Sequence, residues 1–143
     1  MRKFEFRLEP VLKQREAREE QAALEQARAL EEYNRKLRRL TEARENLARV
    51  AQSDCHAGLV DWFNKLAYCE FMACEVKQRE LEVNRSNKKL ERCRNNLVQA
   101  MQERTVIEKL KEKQFSTYKL AVSRLEQKEL DELAALRCAR GQI

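Results

Sequence analysis

The chain has little of what interrupts a helix. It holds two glycines and one proline in 143 residues. Pro10 stands near the start, Gly58 inside a short irregular patch, and Gly141 close to the end. A glycine in a helix interior costs about 1 kcal/mol and a proline about 3 kcal/mol. Their exclusion from the two long stretches between predicts helix over nearly the whole chain. It also removes the material of catalytic loops. Histidine is nearly missing as well, since His56 stands alone. There is no glycine-rich phosphate loop. No pair of carboxylates sits in an apolar setting that would drive their pKa values apart. Neither an enzyme nor a cofactor is expected.

Long apolar runs are absent too. No window approaches 18 apolar residues, which excludes a helical membrane span. The opening Met1-Arg2-Lys3-Phe4-Glu5-Phe6-Arg7 lacks the apolar core of a signal peptide, so none is expected. Five cysteines without such a signal point to free thiols in a reducing, cytoplasmic setting. Cys55-His56 could begin a metal site. Cys69, Cys74, Cys93 and Cys138 offer no Cys-x-x-Cys spacing, however, and zinc wants four gathered ligands. No metal is expected, and the thiols read as small apolar side chains.

Charge is what the chain has in plenty. Charged residues make up 38% against 43% hydrophobic, too polar for a thick globular core. Thirty basic and 24 acidic residues are interleaved throughout, for a net +6. Such mixing is the usual solvated face of a long helix. Two basic runs stand out, Arg35-Lys36-Leu37-Arg38-Arg39 and Lys88-Lys89-Leu90-Glu91-Arg92-Cys93-Arg94. Neither carries the interleaved aromatics on which bases stack, so nucleic acid is not expected as a partner.

Periodicity sets the architecture. Phe4, Phe6 and Leu8 alternate with Glu5 and Arg7, as in a short extended lead-in. Pro10 suits the first turn of a helix, where its missing N–H is not needed. Helix one is expected over about 9–52. Ala23, Leu30 and Leu37 repeat every seven residues, and so do Gln26, Tyr33, Leu40 and Leu47. The two series alternate by three and four, like the a and d positions of a coiled coil. Residues 53–58 are small and polar with one glycine, and predict a reversal. Helix two is expected over about 59–140. Its seam is Val76, Val83, Leu90 and Leu97 alternating with Ser86, Cys93 and Ala100, then Ile107. Further on, Tyr118, Val122, Leu125, Leu133 and Leu136 continue the stripe. A short connection favours antiparallel neighbours. The fold class is therefore all-α: one long two-helix antiparallel coiled-coil hairpin with unequal arms, forming a single domain. A fold-back near residue 56 would pair residue i with about residue 113 − i. It would leave about 35 residues of helix two without a partner in the chain, which implies one outside it.

The densest aromatic patch follows the reversal: Trp62, Phe63, Tyr68, Phe71 and Met72. Some of these side chains could pack the hairpin's end. A two-helix hairpin has no further layer to bury the rest, so binding anchors are the favoured reading.

Two segments carry a family resemblance. Phe4-Glu5-Phe6-Arg7-Leu8-Glu9-Pro10-Val11-Leu12-Lys13-Gln14-Arg15 resembles the opening signature of FliJ proteins of the bacterial flagellar export apparatus. Glu126-Gln127-Lys128-Glu129-Leu130-Asp131-Glu132-Leu133-Ala134 is similar to that family's pattern near the other end. Trp62 and Tyr68 stand where the family carries aromatics. The resemblance implies a non-enzymatic stalk or adaptor, similar to the central stalk of rotary ATPases. Implied partners are a FliI-type hexameric ATPase, a FlhA-type export gate and export chaperones. The implied place is the cytoplasm, peripheral to the inner membrane through those partners.

The resemblance also assigns residues. The ATPase-ring surface would comprise Phe4, Phe6, Leu8, Val11, Leu12 and Arg15 with Lys128, Asp131, Glu132 and Arg137. The gate surface would comprise Leu40, Arg44 and Leu47 on helix one, with Trp62, Tyr68, Phe71, Met72, Glu75 and Arg79 on helix two. Glu75 and Arg79 depart from the family, where a small residue and a histidine are common. Three alternatives stay open: a YscO-like injectisome stalk, a nucleic-acid-binding helical hairpin using the basic runs, and a self-associating coiled coil. Arg44 and Arg104 at seam-like positions are poor for the last.

Overall fold

In the computed structural model, residues 3–54 and 58–141 are described. Two helices account for almost all of them, α1 (Glu9–Gln52) and α2 (Leu59–Ala139). The chain is an all-α helical hairpin. Both helices keep charges that suit their dipoles. Glu9 and Asp61 lie in first turns, and Arg49 and Arg137 in last turns. After α2 the backbone turns left-handed at Gly141, with φ +64°. Gly141 N–H donates to the Cys138 carbonyl at 3.1 Å, so a helix-closing turn uses the one residue without a Cβ penalty. The Cys55-His56 pair considered as the start of a metal site, and residues 55–57 of the expected reversal, lie outside the described residues.

Contacts divide the chain into two compact units. One joins Met1–Arg18 to Met101–Ile143, and the other is Glu19–Ala100.

In the Glu19–Ala100 unit the two helices run antiparallel. Lys89 on α2 meets Glu32 on α1 at 3.1 Å, and Arg44 meets Glu80 at 2.7 Å. Leu40 and Ala43 bury against Val76 and Val83, with Tyr33 and Leu47 packed alongside. On α2 the buried positions are Met72, Val76, Val83, Ser86 and Leu90, the seam expected from sequence with Met72 added. On α1 one of the two expected series stands. Leu40 is buried, and Gln26, Tyr33 and Leu47 are half-buried. The other is shifted by one residue. Ala29 and Ala43 are buried and Ala22, Lys36 and Val50 half-buried, whereas Ala23, Leu30 and Leu37 are exposed. Alanine at the contact lets two backbones approach closely. Leucine there would overfill a seam only one side chain thick.

Ser86 is buried, and its hydroxyl meets no hydrogen-bond partner among the described residues. An unmet buried polar group costs about 1–3 kcal/mol. Ser86→Ala is therefore expected to stabilise the protein by about 1 kcal/mol and raise its Tm by roughly 2–4 °C in a circular-dichroism melt.

In the other unit the lead-in and the first turns of α1 pack on α2. The lead-in ends in a turn whose Glu9 N–H donates to the Phe6 carbonyl at 3.1 Å. Phe6 and Leu12 are buried. The Phe4 ring sits 5.1 Å from Phe115 and 5.5 Å from Tyr118. Lys111 pairs with Glu9 at 2.7 Å and lies over the Phe6 ring, while Arg15 pairs with Glu103.

These contacts correct the expected register. Paired residue numbers sum to about 120, not 113: Glu32 with Lys89, Glu9 with Lys111, Phe4 with Phe115. The difference is close to one heptad, so the same faces meet at a different level. Two consequences follow. The lead-in covers α2 as far as Tyr118, so the solitary end of α2 is residues 119–139 rather than the last 35 or so. In addition, α1 stops at Gln52 while α2 begins at Leu59, so the first two turns of α2 have no α1 residue opposite them.

Candidate functional site

The residues expected to bind partners fall into two groups, one per unit. In the Glu19–Ala100 unit the start of α2 is apolar and uncovered. Leu59, Val60, Trp62, Phe63 and Leu66 are all exposed, as are Tyr68 and Phe71. The Trp62 ring meets Phe63 edge-on with centroids 5.5 Å apart. Lys65 Nζ donates to the Ser53 carbonyl and ties this end of α2 to the end of α1. An aromatic cluster in water this large is uncommon on a finished surface.

The nine expected gate residues are divided by the structure. Trp62, Tyr68 and Phe71 lie in the exposed cluster. Leu40 and Met72 are only 4% and 6% exposed and Leu47 packs beside them, so these three hold the two helices together and offer little surface. The family-based assignment placed them on a surface, but their spacing is that of the seam. Arg44 is engaged with Glu80. Arg79 is engaged with Glu75 at 2.6 Å and also donates to the Arg39 carbonyl at 3.4 Å.

The ten expected ring residues divide as well. Phe6 and Leu12 are buried, Phe4, Leu8 and Val11 are half-buried, and Arg15 is engaged with Glu103. Those six fasten the lead-in and α1 to α2. Lys128, Asp131, Glu132 and Arg137 are exposed on the solitary end of α2. Lys128 stands ten residues past Tyr118, about 15 Å along the helix, so the two subsets do not form one patch. The solitary end adds apolar side chains that the sequence reading did not assign. Leu130 and Leu133 are mostly exposed, and with Ala134, Arg137 and Cys138 they line an open apolar notch. Leu120, Leu125 and Leu136 are exposed too. The signal was present as a leucine stripe continuing past the last α1 partner.

Electrostatics are mild. The Glu32 carboxyl is displaced from its ordinary range. It accepts a hydrogen bond from Lys89 at 3.1 Å and pairs with Lys36 at 3.2 Å. These neighbours, Lys89 first, hold its carboxyl below the ordinary carboxylate range. A depressed folded-state pKa adds stability above the unfolded value, lost as pH falls through the folded pKa. Stability in urea should therefore decline below about pH 4.5, and more shallowly in Glu32→Gln. The pair is partly in water, so the difference should stay below about 1 kcal/mol. A steeper decline in the variant would contradict this account. Among the described residues no three His, Cys, Asp or Glu side chains converge as metal ligands, and no helix is long and apolar enough to cross a membrane.

Two antiparallel helices joined by a thin seam, with apolar side chains left in water beyond the pairing, define a helical scaffold with exposed apolar faces. The model of one family, described as flagellar FliJ protein, matches residues 4–142. The chain belongs to the FliJ family and is a component of the flagellar export apparatus. No match is found among curated proteins or among solved structures.

Proposed function

We propose that this protein is a non-enzymatic stalk and adaptor that binds the hexameric FliI-type export ATPase and the FlhA-type export gate, and assists export chaperones. One observation carries the reading: α2 extends past its α1 partner as a leucine-bearing helix over 119–139. Such a helix buries its apolar stripe only by entering a groove or a ring of another protein. The ATPase contact is assigned to Leu130, Leu133 and Arg137 with Lys128, Asp131 and Glu132 around them. The gate contact is assigned to the exposed aromatics Trp62, Phe63, Tyr68 and Phe71. Peripheral membrane association would follow through the gate.

The test is a binding and activity measurement with purified partners. The full chain should bind FliI and raise its ATP turnover, and bind the cytoplasmic domain of FlhA independently. Absence of both interactions would remove the proposal. Binding to FlhA alone would leave an adaptor without a stalk role.

A further inference from the structure

The two basic runs, far apart in sequence, lie at one level of the Glu19–Ala100 unit. Arg28 and Arg35 each stand one residue before a seam position of α1, Ala29 and Lys36. Arg85 and Arg92 each stand one residue before a seam position of α2, Ser86 and Cys93. That shared offset puts all four on the same flank of the paired helices. The flank is identified by Glu32 and Lys89, which meet across it at 3.1 Å. With paired numbers summing to about 120, Arg28 stands level with Arg92, and Arg35 with Arg85. The four mark the corners of a rectangle. Along each helix the corners are seven residues apart, about 10 Å.

All four arginines are exposed, and among the described residues none of them has an ion-pair or hydrogen-bond partner. The carboxylate inside the rectangle, Glu32, is already held by Lys36 and Lys89. A guanidinium presents a planar fork of donors that suits carboxylate and phosphate oxygens. The rectangle therefore has four such forks with nothing to bind.

The extent of the patch selects the kind of anion. On the same flank, next to Arg35 and Arg85, the charge turns acidic. Glu42, Glu75 and Glu82 line an open polar groove there with Arg39 and Arg79. On the other side Glu25 and the uncharged Gln21, Asn96 and Gln99 end the cationic stretch. Duplex nucleic acid and a lipid surface are extended arrays of negative charge. Laid on this flank, either would run onto the three glutamates. A discrete acidic motif would not. Carboxylates one heptad apart on a helix are also about 10 Å apart, which matches the spacing of the corners.

We propose that this arginine rectangle is a docking site for a short acidic helical segment of a partner protein. It is separate from the aromatic and leucine surfaces assigned above and does not depend on them. The seam beneath it is closed and the flank carries no apolar lining, so binding is electrostatic and weakens with salt.

The test uses the full chain and a labelled 16-residue alanine-rich peptide with two pairs of glutamates seven residues apart. Fluorescence anisotropy should show saturable binding at low salt. Arg28→Gln, Arg35→Gln, Arg85→Gln and Arg92→Gln combined should weaken it about thirtyfold. Arg38→Gln, Lys77→Gln, Lys88→Gln and Arg94→Gln combined, which remove the same four charges from exposed positions off this flank, should change it less than about twofold. Circular dichroism should show both variants folded, as expected for exposed positions. The proposal is overturned if the glutamate peptide fails to bind, or if both variants bind it as the parent does. It is equally overturned if a 16-base-pair duplex or phosphatidylserine vesicles bind the rectangle more tightly than the peptide does.

Discussion

Replacing Leu130 and Leu133 together by aspartate is expected to abolish binding to the export ATPase without moving the melting temperature. The two side chains are 60% and 57% exposed in the free protein and line the same apolar notch. Nothing in the fold rests on them, and substitutions at such sites stay within about 0.5 kcal/mol of neutral. Bound in a partner's groove, each leucine would contribute about 1.5–3 kcal/mol of burial. Loss of both therefore removes roughly two to four orders of magnitude in affinity, before any penalty for buried aspartate. Gate binding should survive, because the aromatic cluster belongs to the other unit. Calorimetric titration with the ATPase checks the first part and titration with the gate domain the second. ATPase affinity retained in the double variant would mean that this end of α2 is not the contact. Phe6→Ala would be a poor substitute experiment. Phe6 is buried, and its loss would act by loosening the lead-in.

Leu90→Ala is expected to destabilise the protein by about 2–5 kcal/mol, the usual range for a buried leucine truncated to alanine. Leu90 is the most buried side chain described, at 1% exposure. It lies in the seam between the half-buried Cys93 and the buried Ser86. A two-helix seam has no second layer that can collapse into the gap. With a total stability of order 5–15 kcal/mol, that is a large fraction. Leu37→Ala makes the control, because Leu37 is exposed beside the seam and should cost under about 1 kcal/mol. Urea unfolding by circular dichroism measures both. Equal losses at Leu37 and Leu90 would show that the α1 leucines, not its alanines, face α2.

That control marks where reading the sequence went wrong, and the reason is physical. Either α1 series, Ala23–Leu30–Leu37 or Ala22–Ala29–Lys36–Ala43, alternates properly with Gln26–Tyr33–Leu40–Leu47. Hydrophobicity favours the leucines. Close approach of two backbones favours the alanines, and a one-dimensional count does not weigh distance between helices. The α2 seam suffered no such ambiguity, because Val83 and Leu90 have only polar or charged residues beside them. Helix existence was legible from the excluded glycine and proline. Register was not, because residues 53–58 specify a reversal without specifying which residues meet first. For the same reason the uncovered Leu59–Leu66 segment was not anticipated as an overhang. The aromatics were legible as anchors, whereas Leu40 entered the gate surface only through the family pattern, and Met72, counted with the aromatics, is buried in the seam. The alternation of Phe4 and Phe6 foretold an extended lead-in. Its docking on Phe115 and Tyr118 needs contacts more than a hundred residues apart. The arginine rectangle was half visible, as two basic runs, and became a site only when the register aligned them.

The solitary end of α2 has one further consequence. Over about six turns its helix is sustained by backbone hydrogen bonds, propensity and local pairs such as Gln127 with Asp131 at 2.9 Å, since among the described residues no second helix lies on it. No packing opposes fraying from its free end, so capture by a partner must also supply the entropy of keeping it straight. Affinity there is set partly by residues that touch nothing. A change such as Ser123→Ala, at an exposed position, would tighten binding simply by making the captured conformation commoner beforehand.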